Sequence, residues 1–418
     1  MIGLRSKFVI MLPLLLAGVG LSLFWTSSQA GEEVKIDGVI HVQNGDKPEN
    51  GIETIQLKEL WRAGGEDDEV FFGTIGQVLS DPDGNIYLLD SQLSEVHVYS
   101  PEGEFLKTVG GEGDGPGEVR NPSDIFFLPG GKMGIAQQFP GKVIMIDLDG
   151  NPAGSFLIGA GDPGEGNFSV LIRGRSTGDE VVLAGIHMTF QGQGVNNQTY
   201  FLSRIDSEGK ELQRYLSKEY AVNFADFRLD EMGMHFAWGL YDISSDGKLF
   251  VAPHRNTYEI QQLNADGKLE RIIERKYTSL KRNDKQTHAA ELILEGVAQN
   301  YRVPVLGISV EDTEPDISSL QLTSNGELWI RTSRGDNDLP EGVLTVYDVF
   351  DPKGNYAKQI QLSAPGDASQ DGVFLLDGGK VVVVTGILGA FLSQQGVSGG
   401  DELTEEEAHP LQVICYTM

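Results

Sequence analysis

The sequence predicts an all-β fold, a six-bladed β-propeller with four-stranded blades, on three observations. Glycine-bearing turns come in pairs 19 or 20 residues apart, the pairs recur with a basic period of 47, and short apolar runs fill the intervals. Asp83-Gly84 with Glu102-Gly103, Gly130-Gly131 with Asp149-Gly150, and Asp246-Gly247 with Asp266-Gly267 are the clearest pairs. Such dipeptides supply the positive φ that tight two-residue hairpins need, and two hairpins in series make one blade.

Residues 1–30 come first and read as an export signal. Arg5 and Lys7 precede an apolar run from Phe8 to Trp25, and Ser28-Gln29-Ala30 places small residues at a cleavage site. The protein is therefore expected outside the cytoplasm, periplasmic or extracellular, with membrane attachment only if this segment is retained. Without it 388 residues remain, carrying 30 Lys and Arg against 61 Asp and Glu, a net charge of −31. That balance repels nucleic acid and anionic lipid. Cys415 is the only cysteine, so no intrachain disulfide is possible and stability must come from burial.

Residues 31–50 are polar and read as a loose leader ahead of a propeller spanning 51–418. Thr54-Ile55-Gln56-Leu57 through Trp61 is strand-like yet precedes the first complete blade. It is expected to complete the last blade beside the C-terminal strand at 411–416, because an open ring leaves two sheet edges exposed. Naming the strands A to D from the channel outward, the A–B glycines fall at Gly84, Gly131, Gly178, Gly247, Gly326 and Gly378. Further C–D turns lie at Glu208-Gly209 and Lys353-Gly354, and the sixth blade shows none. The A–B spacings are 47, 47, 69, 79 and 52. The longest gap, containing the insertion 271–316, predicts a helix over 283–301 rather than a seventh blade. Asn283 or Asp284 caps it, and Ala289, Leu292, Ile293 and Val297 recur at helical spacing.

The stretch Ile86-Tyr87-Leu88-Leu89-Asp90-Ser91, followed by Val96-His97-Val98-Tyr99 and the Glu-Gly turn, resembles an NHL repeat. Gly110-Gly111-Glu112-Gly113-Asp114-Gly115-Pro116-Gly117-Glu118, then Asn121-Pro122, resembles the inter-blade loop of bacterial six-bladed propellers of that NHL-like group, and a degraded copy follows from Gly159 to Glu165. The sequence departs from the pattern at Glu95, where NHL repeats often carry a basic residue, and in its long middle insertions. The resemblance implies a binding or scaffolding propeller more often than an enzyme, while some related six-bladed propellers are metal-dependent lactonases or lyases. Fold alone does not choose between these.

Strand alternation puts every A–B and C–D turn on one face and every B–C and D–A connection on the other. The long segments 185–197, 213–239, 271–316, 331–342 and 386–410 fall on the second, decorated face, where function is expected. They carry His187, Met188, Phe190, Gln191, Phe224, Phe227, His235 and Trp238, and then Arg331, Arg334, Asp336 and Asn337, while the shorter connection between the turns at Gly247 and Gly267 adds His254, Arg255 and Asn256 on the same face. Aromatic, amide and guanidinium groups at a channel mouth suit a protein, peptide or small polar organic ligand. The helical insertion is expected to act there as a lid or docking element. It follows a basic cluster of Arg271, Arg275, Lys276, Lys281 and Arg282.

The alternative is a metal-assisted lactonase-like hydrolase or lyase. No cofactor is required by the sequence, but zinc is possible through His187, His235 and His254, and calcium through Asp336-Asn337-Asp338. No G-x-S-x-G elbow occurs. Gly111-x-Gly113-x-Gly115 lacks the following helix that phosphate binding uses, and Pro116 and Glu118 are poor neighbours for an anion.

Overall fold

The computed structural model describes residues 31–66, 70–159, 167–178, 180–190, 194–397 and 410–418. The expected export segment 1–30, Gln191, most of the second glycine-rich loop and residues 398–409 lie outside that description. Six antiparallel blades make up a β-propeller. Blade one is formed by Ile75–Ser80, Ile86–Asp90, Glu95–Tyr99 and Phe105–Gly110, and the same meander recurs from Pro122, Asn167, Tyr241 and Ser319.

The turn chemistry is more specific than the glycines alone conveyed. At Gly84, and again at Gly103, Gly150, Gly209, Gly247, Gly267, Gly326 and Gly354, φ lies between 77° and 90°. Three positions earlier stands Asp, Ser, Asn or Thr. Asp81 is representative: its carbonyl accepts from Gly84 N–H at 3.0 Å, and its carboxylate accepts from Asn85 N–H at 2.8 Å. These are three-residue loops, a type I turn closed by a glycine bulge, and not the expected two-residue hairpins. The polar side chain holds the amide that the bulge leaves without a ladder partner.

The N-terminal segment is more ordered than its composition indicated. The first strands are β1 (Glu32–Ile36), β2 (Val39–Asn44), β3 (Ile52–Gln56) and β4 (Lys58–Gly64). β4 runs antiparallel to Gln412–Thr417 as the outer strand of blade six, which is why that blade has no C–D turn. β3 pairs parallel with Tyr356–Ser363, adding a fifth strand to blade five. β2 pairs parallel with Leu269–Arg275, and β1 folds back on it, so blade four has six strands. The loose leader expected at 31–50 is corrected accordingly. Its single-sided burial needs few apolar residues, so the composition stays polar. Val42 is fully buried, and buried Asn44 donates to Gly354 O at 2.9 Å and accepts from Tyr356 N–H at 2.8 Å.

Packing between blades forms the core. Trp61, Phe72, Ile75, Tyr99, Val382 and Val413 join blades six and one, and similar clusters follow around the ring. Blade three differs in length. Its strands Asn167–Thr177, Glu180–Phe190, Val195–Ile205 and Glu211–Asn223 have 11, 11, 11 and 13 residues and overshoot the decorated face. Much of 185–197 and 213–239, expected as loop, is therefore strand.

Four helices complete the described chain: α1 (Glu231–Met234), α2 (Asp284–Gln299), α3 (Ser333–Asn337) and α4 (Ile387–Gln394). Asn283 caps α2 in a capping box with Gln286. Its burial differs from the single stripe expected. Ala290, Leu294 and Ala298 are buried on one side and Leu292 and Gly296 on the other, while Ile293 is 37% exposed. Two surfaces contact it: Leu292 meets Leu392 of α4, and Ala298 joins Val222, Phe227 and Leu229 below the overshooting end of blade three. Gln286 also bonds Asn337 of blade five at 2.9 Å.

Candidate functional site

The channel is lined by innermost strands that sequence alone reads as plain apolar runs, yet they carry charge. Gln77 of blade one donates to Asp124 of blade two at 2.8 Å. The fully buried Asp124 also accepts from Gly174 N–H at 2.8 Å and lies 3.4 Å from both Arg173 and Arg175 of blade three. Arg175 reaches toward Asp242 of blade four at 4.0 Å, and Asp242 accepts from Leu322 N–H of blade five at 2.8 Å. Gln321 then donates to Leu375 O of blade six at 3.0 Å. Polar contacts thus run from blade to blade around the axis. None of these residues was among the sequence candidates. The available signal was charge at Asp124, Arg173, Arg175 and Asp242 inside otherwise apolar strands.

On the decorated face, a groove of about 400 Å³ opens between blades two and three, lined by Pro140, Leu157, Phe168, Ser169, His187 and Met188 among others. His187 contacts the Ser169 hydroxyl at 2.7 Å and stacks on Phe201 at a ring separation of 4.4 Å. Burial holds its imidazole below the usual histidine range, assisted by Arg214. Beside the groove, four rings follow one another. Phe139 meets Phe168 at 4.8 Å, Phe168 meets Phe190 at 6.0 Å, and Phe190 stacks on Phe224 at 6.1 Å. Phe139 is 48% and Phe190 42% exposed, and Leu157 at the groove edge is 60% exposed. Among the described residues, none that lines this groove is charged.

The other candidates divide into separate places. Trp238 packs on Tyr200 and Phe236, both at 4.8 Å, and serves the core between blades three and four. His235, His254, Arg255 and Asn256 share a second groove of about 450 Å³ with Lys218 and Met232. Burial, with Arg255 and Lys218 nearby, lowers the His235 imidazole to about 4. Exposed His254 lies 3.6 Å from Glu259. Arg255 is consumed internally, donating to Glu231 and Thr313 O at 2.7 Å and to Asn256 at 2.8 Å. Arg282, from the basic cluster, donates to the same Glu231 at 2.7 Å.

In blade five, Arg331 lies 3.6 Å from Asp336, whose carboxylate accepts from Ser318 at 2.8 Å and Thr345 at 3.0 Å. Arg334 donates to Thr278 O at 2.7 Å and pairs with Asp338. Arg275 is enclosed by Tyr258, Tyr277 and Tyr356 at 4.9 to 5.3 Å and pairs with buried Asp348 at 2.9 Å. The expected convergence of all these groups on one mouth does not occur, because most guanidiniums fasten insertions to the disc.

The metal candidates are also apart. His187 belongs to one groove and His235 and His254 to another, and among the described residues no three His, Cys, Asp or Glu side chains are grouped so as to hold an ion. The first glycine-rich loop holds its own anion. Glu118 accepts from Gly115 N–H at 2.8 Å, and a side chain at Gly113 or Gly115 would collide with that carboxylate.

Residues 66–155 match a protein family described as a 6-bladed beta-propeller. The fold is a six-bladed β-propeller. No curated protein matches the chain in sequence. Among solved structures, a member of the duf4221 family from Bacteroides vulgatus is 11% identical, covering 86% of this chain and 97% of that one at a TM-score of 0.47. Regucalcin from Agrobacterium tumefaciens, a calcium-binding protein, is 11% identical, covering 86% and 94% at 0.44. Virginiamycin B lyase from Staphylococcus aureus is 8% identical, covering 87% and 99% at 0.41. Likeness at this level concerns architecture alone. No helix among the described residues is long and apolar enough to cross a membrane.

Proposed function

We propose that this protein is an exported binding propeller whose decorated face grips a peptide segment of a partner. The cleft between blades two and three is the recognition site, receiving an uncharged aromatic or aliphatic side chain. The observation that carries this reading is the run Phe139, Phe168, Phe190 and Phe224, two of its rings more than two-fifths exposed, beside a groove whose described lining residues carry no charge. Contiguous exposed apolar surface rimmed by polar groups marks interaction sites, and aromatic anchors dominate binding energy at such surfaces. His187 and Ser169 supply the few hydrogen-bonding groups that orient an occupant. A metal-assisted reaction in the channel gains less support, since the two guanidiniums of Arg173 and Arg175 oppose a divalent cation there.

The test is selection from a random displayed-peptide library on the purified mature protein. Enriched peptides are expected to carry Phe, Tyr, Trp or Leu. The double variant Phe139→Ser/Phe190→Ser should bind them about 10- to 100-fold more weakly, with only a small fall in the urea midpoint because both rings are close to half exposed. Peptides that bind the double variant as tightly as the parent would remove the cleft from consideration.

A further inference from the structure

The channel lattice leaves one guanidinium edge unused. Arg173 directs Nη1 toward Gly76 O and Asp124, both at 3.4 Å, and no residue among those described accepts from its Nε–H or its Nη2–H. Arg175 likewise uses Nη1, for Gly174 O at 2.8 Å and Asp124 at 3.4 Å, while Asp242 stands 4.0 Å from its Nε. The side chains are 32% and 29% exposed, so solvent reaches both. Beside Arg173 the wall is a glycine. A Cβ built at Gly239 would meet nothing within 4 Å except Arg173 Nε, at 3.7 Å. The position a methyl would take at Gly239 is thus free of other protein atoms and lies against the Nε edge.

Charge points the same way. Asp124 offers one negative charge to two guanidiniums, leaving one positive charge uncompensated by it. Asp242 is the second carboxylate; it lies 4.0 Å from Arg175 and makes no pair with Arg173, whose one carboxylate partner is the shared Asp124. The Nε–Nη2 edge of arginine presents two parallel N–H donors, a spacing that matches the two oxygens of a carboxylate.

We propose that the channel binds a small carboxylate solute, held side-on by Nε–H and Nη2–H of Arg173 in the space beside Gly239, with Arg175 contributing a second positive charge. This site is separate from the cleft between blades two and three, uses none of its residues, and stands whether or not the cleft binds peptide.

The experiment is calorimetric titration of the full mature protein with sodium acetate in low-salt buffer, with sodium sulfate as the comparison anion. Saturable one-site binding of acetate, with sulfate weaker, is expected. Arg173→Lys keeps the charge but loses the fork, and should weaken acetate about tenfold or more. Since Arg173 also touches Gly76 and Asp124, a second variant leaves both arginines intact. Gly239→Val fills the adjoining space and should abolish acetate binding with little change in urea midpoint. Absence of saturable acetate binding, preference for sulfate, or undiminished binding in both variants would each overturn the proposal.

Discussion

Replacing Trp61 by Ala tests whether ring closure rests on one side chain. Trp61 sits on β4, is 8% exposed, and stacks on Tyr99 of blade one at 5.5 Å with 18° between ring planes. It also covers the blade-one turn so closely that a side chain at Gly103 would collide with its ring. Truncating a buried aromatic to Ala costs about 3–5 kcal/mol, and loss of the ring pair adds roughly 1 kcal/mol. A loss near 5 kcal/mol is a large share of the roughly 5–15 kcal/mol that a folded domain has in total. Trp61→Phe should be milder, about 1–2 kcal/mol, because it also removes an indole N–H that is buried without an acceptor among the described residues. The assay is equilibrium urea unfolding by circular dichroism. A Trp61→Ala loss below about 1 kcal/mol would show that the β4 ladder closes the ring without this packing.

Asp348→Ala should destabilise the disc by about 3–5 kcal/mol, since it leaves the buried Arg275 unpaired, and Arg275→Met with Asp348→Leu should recover most of that loss in urea unfolding. Acid should act in two windows. His235 is held neutral down to about 4 against an ordinary 6.5, so the unfolded chain takes up its proton first and stability falls from pH 6.5 to 4; His235→Gln should flatten that part of a urea-midpoint profile. Burial alone would raise the Glu231 carboxyl, but hydrogen bonds from Arg282, Glu311 N–H and Arg255 bring it down to about 2. Its contribution is therefore complete above the ordinary 4.5 and lost as pH falls from 4.5 toward 2, a loss that Glu231→Gln should not show. N-terminal sequencing of protein recovered outside the cytoplasm should begin at Gly31, and retention of residues 1–30 in a membrane fraction would identify them as an anchor.

Local chemistry was legible because it is written within a few residues. Gly84, Gly131, Gly178, Gly247, Gly326 and Gly378 all adopt positive φ, so counting them counted the blades. Helix α2 begins at its Asn283 cap for the same reason. The order of β1 to β3 was not legible, because an added edge strand buries one face at most and its backbone bonds are blind to side-chain type. The stripe on α2 was misread as well. A helix gripped from two sides buries opposite faces, and no one-sided periodicity reports that.

For the sites, the sequence by itself determined which groups the decorated face would offer, since strand alternation alone assigns His187, Phe190, His254, Arg255, Arg331 and Arg334 to that side. Only the tertiary structure decided which of them were spent. Arg255 and Arg334 fasten insertions to the disc, while His187 lines an open cleft and Phe190 stands beside it. It also decided that Asp124, Arg173, Arg175 and Asp242, from three blades and up to 118 residues apart in sequence, meet at the axis. The physical reason is range. A turn or cap is satisfied by neighbours in the chain, whereas a guanidinium is satisfied by whichever carboxylate the closed ring brings within reach, and that partner is fixed only when the ring closes.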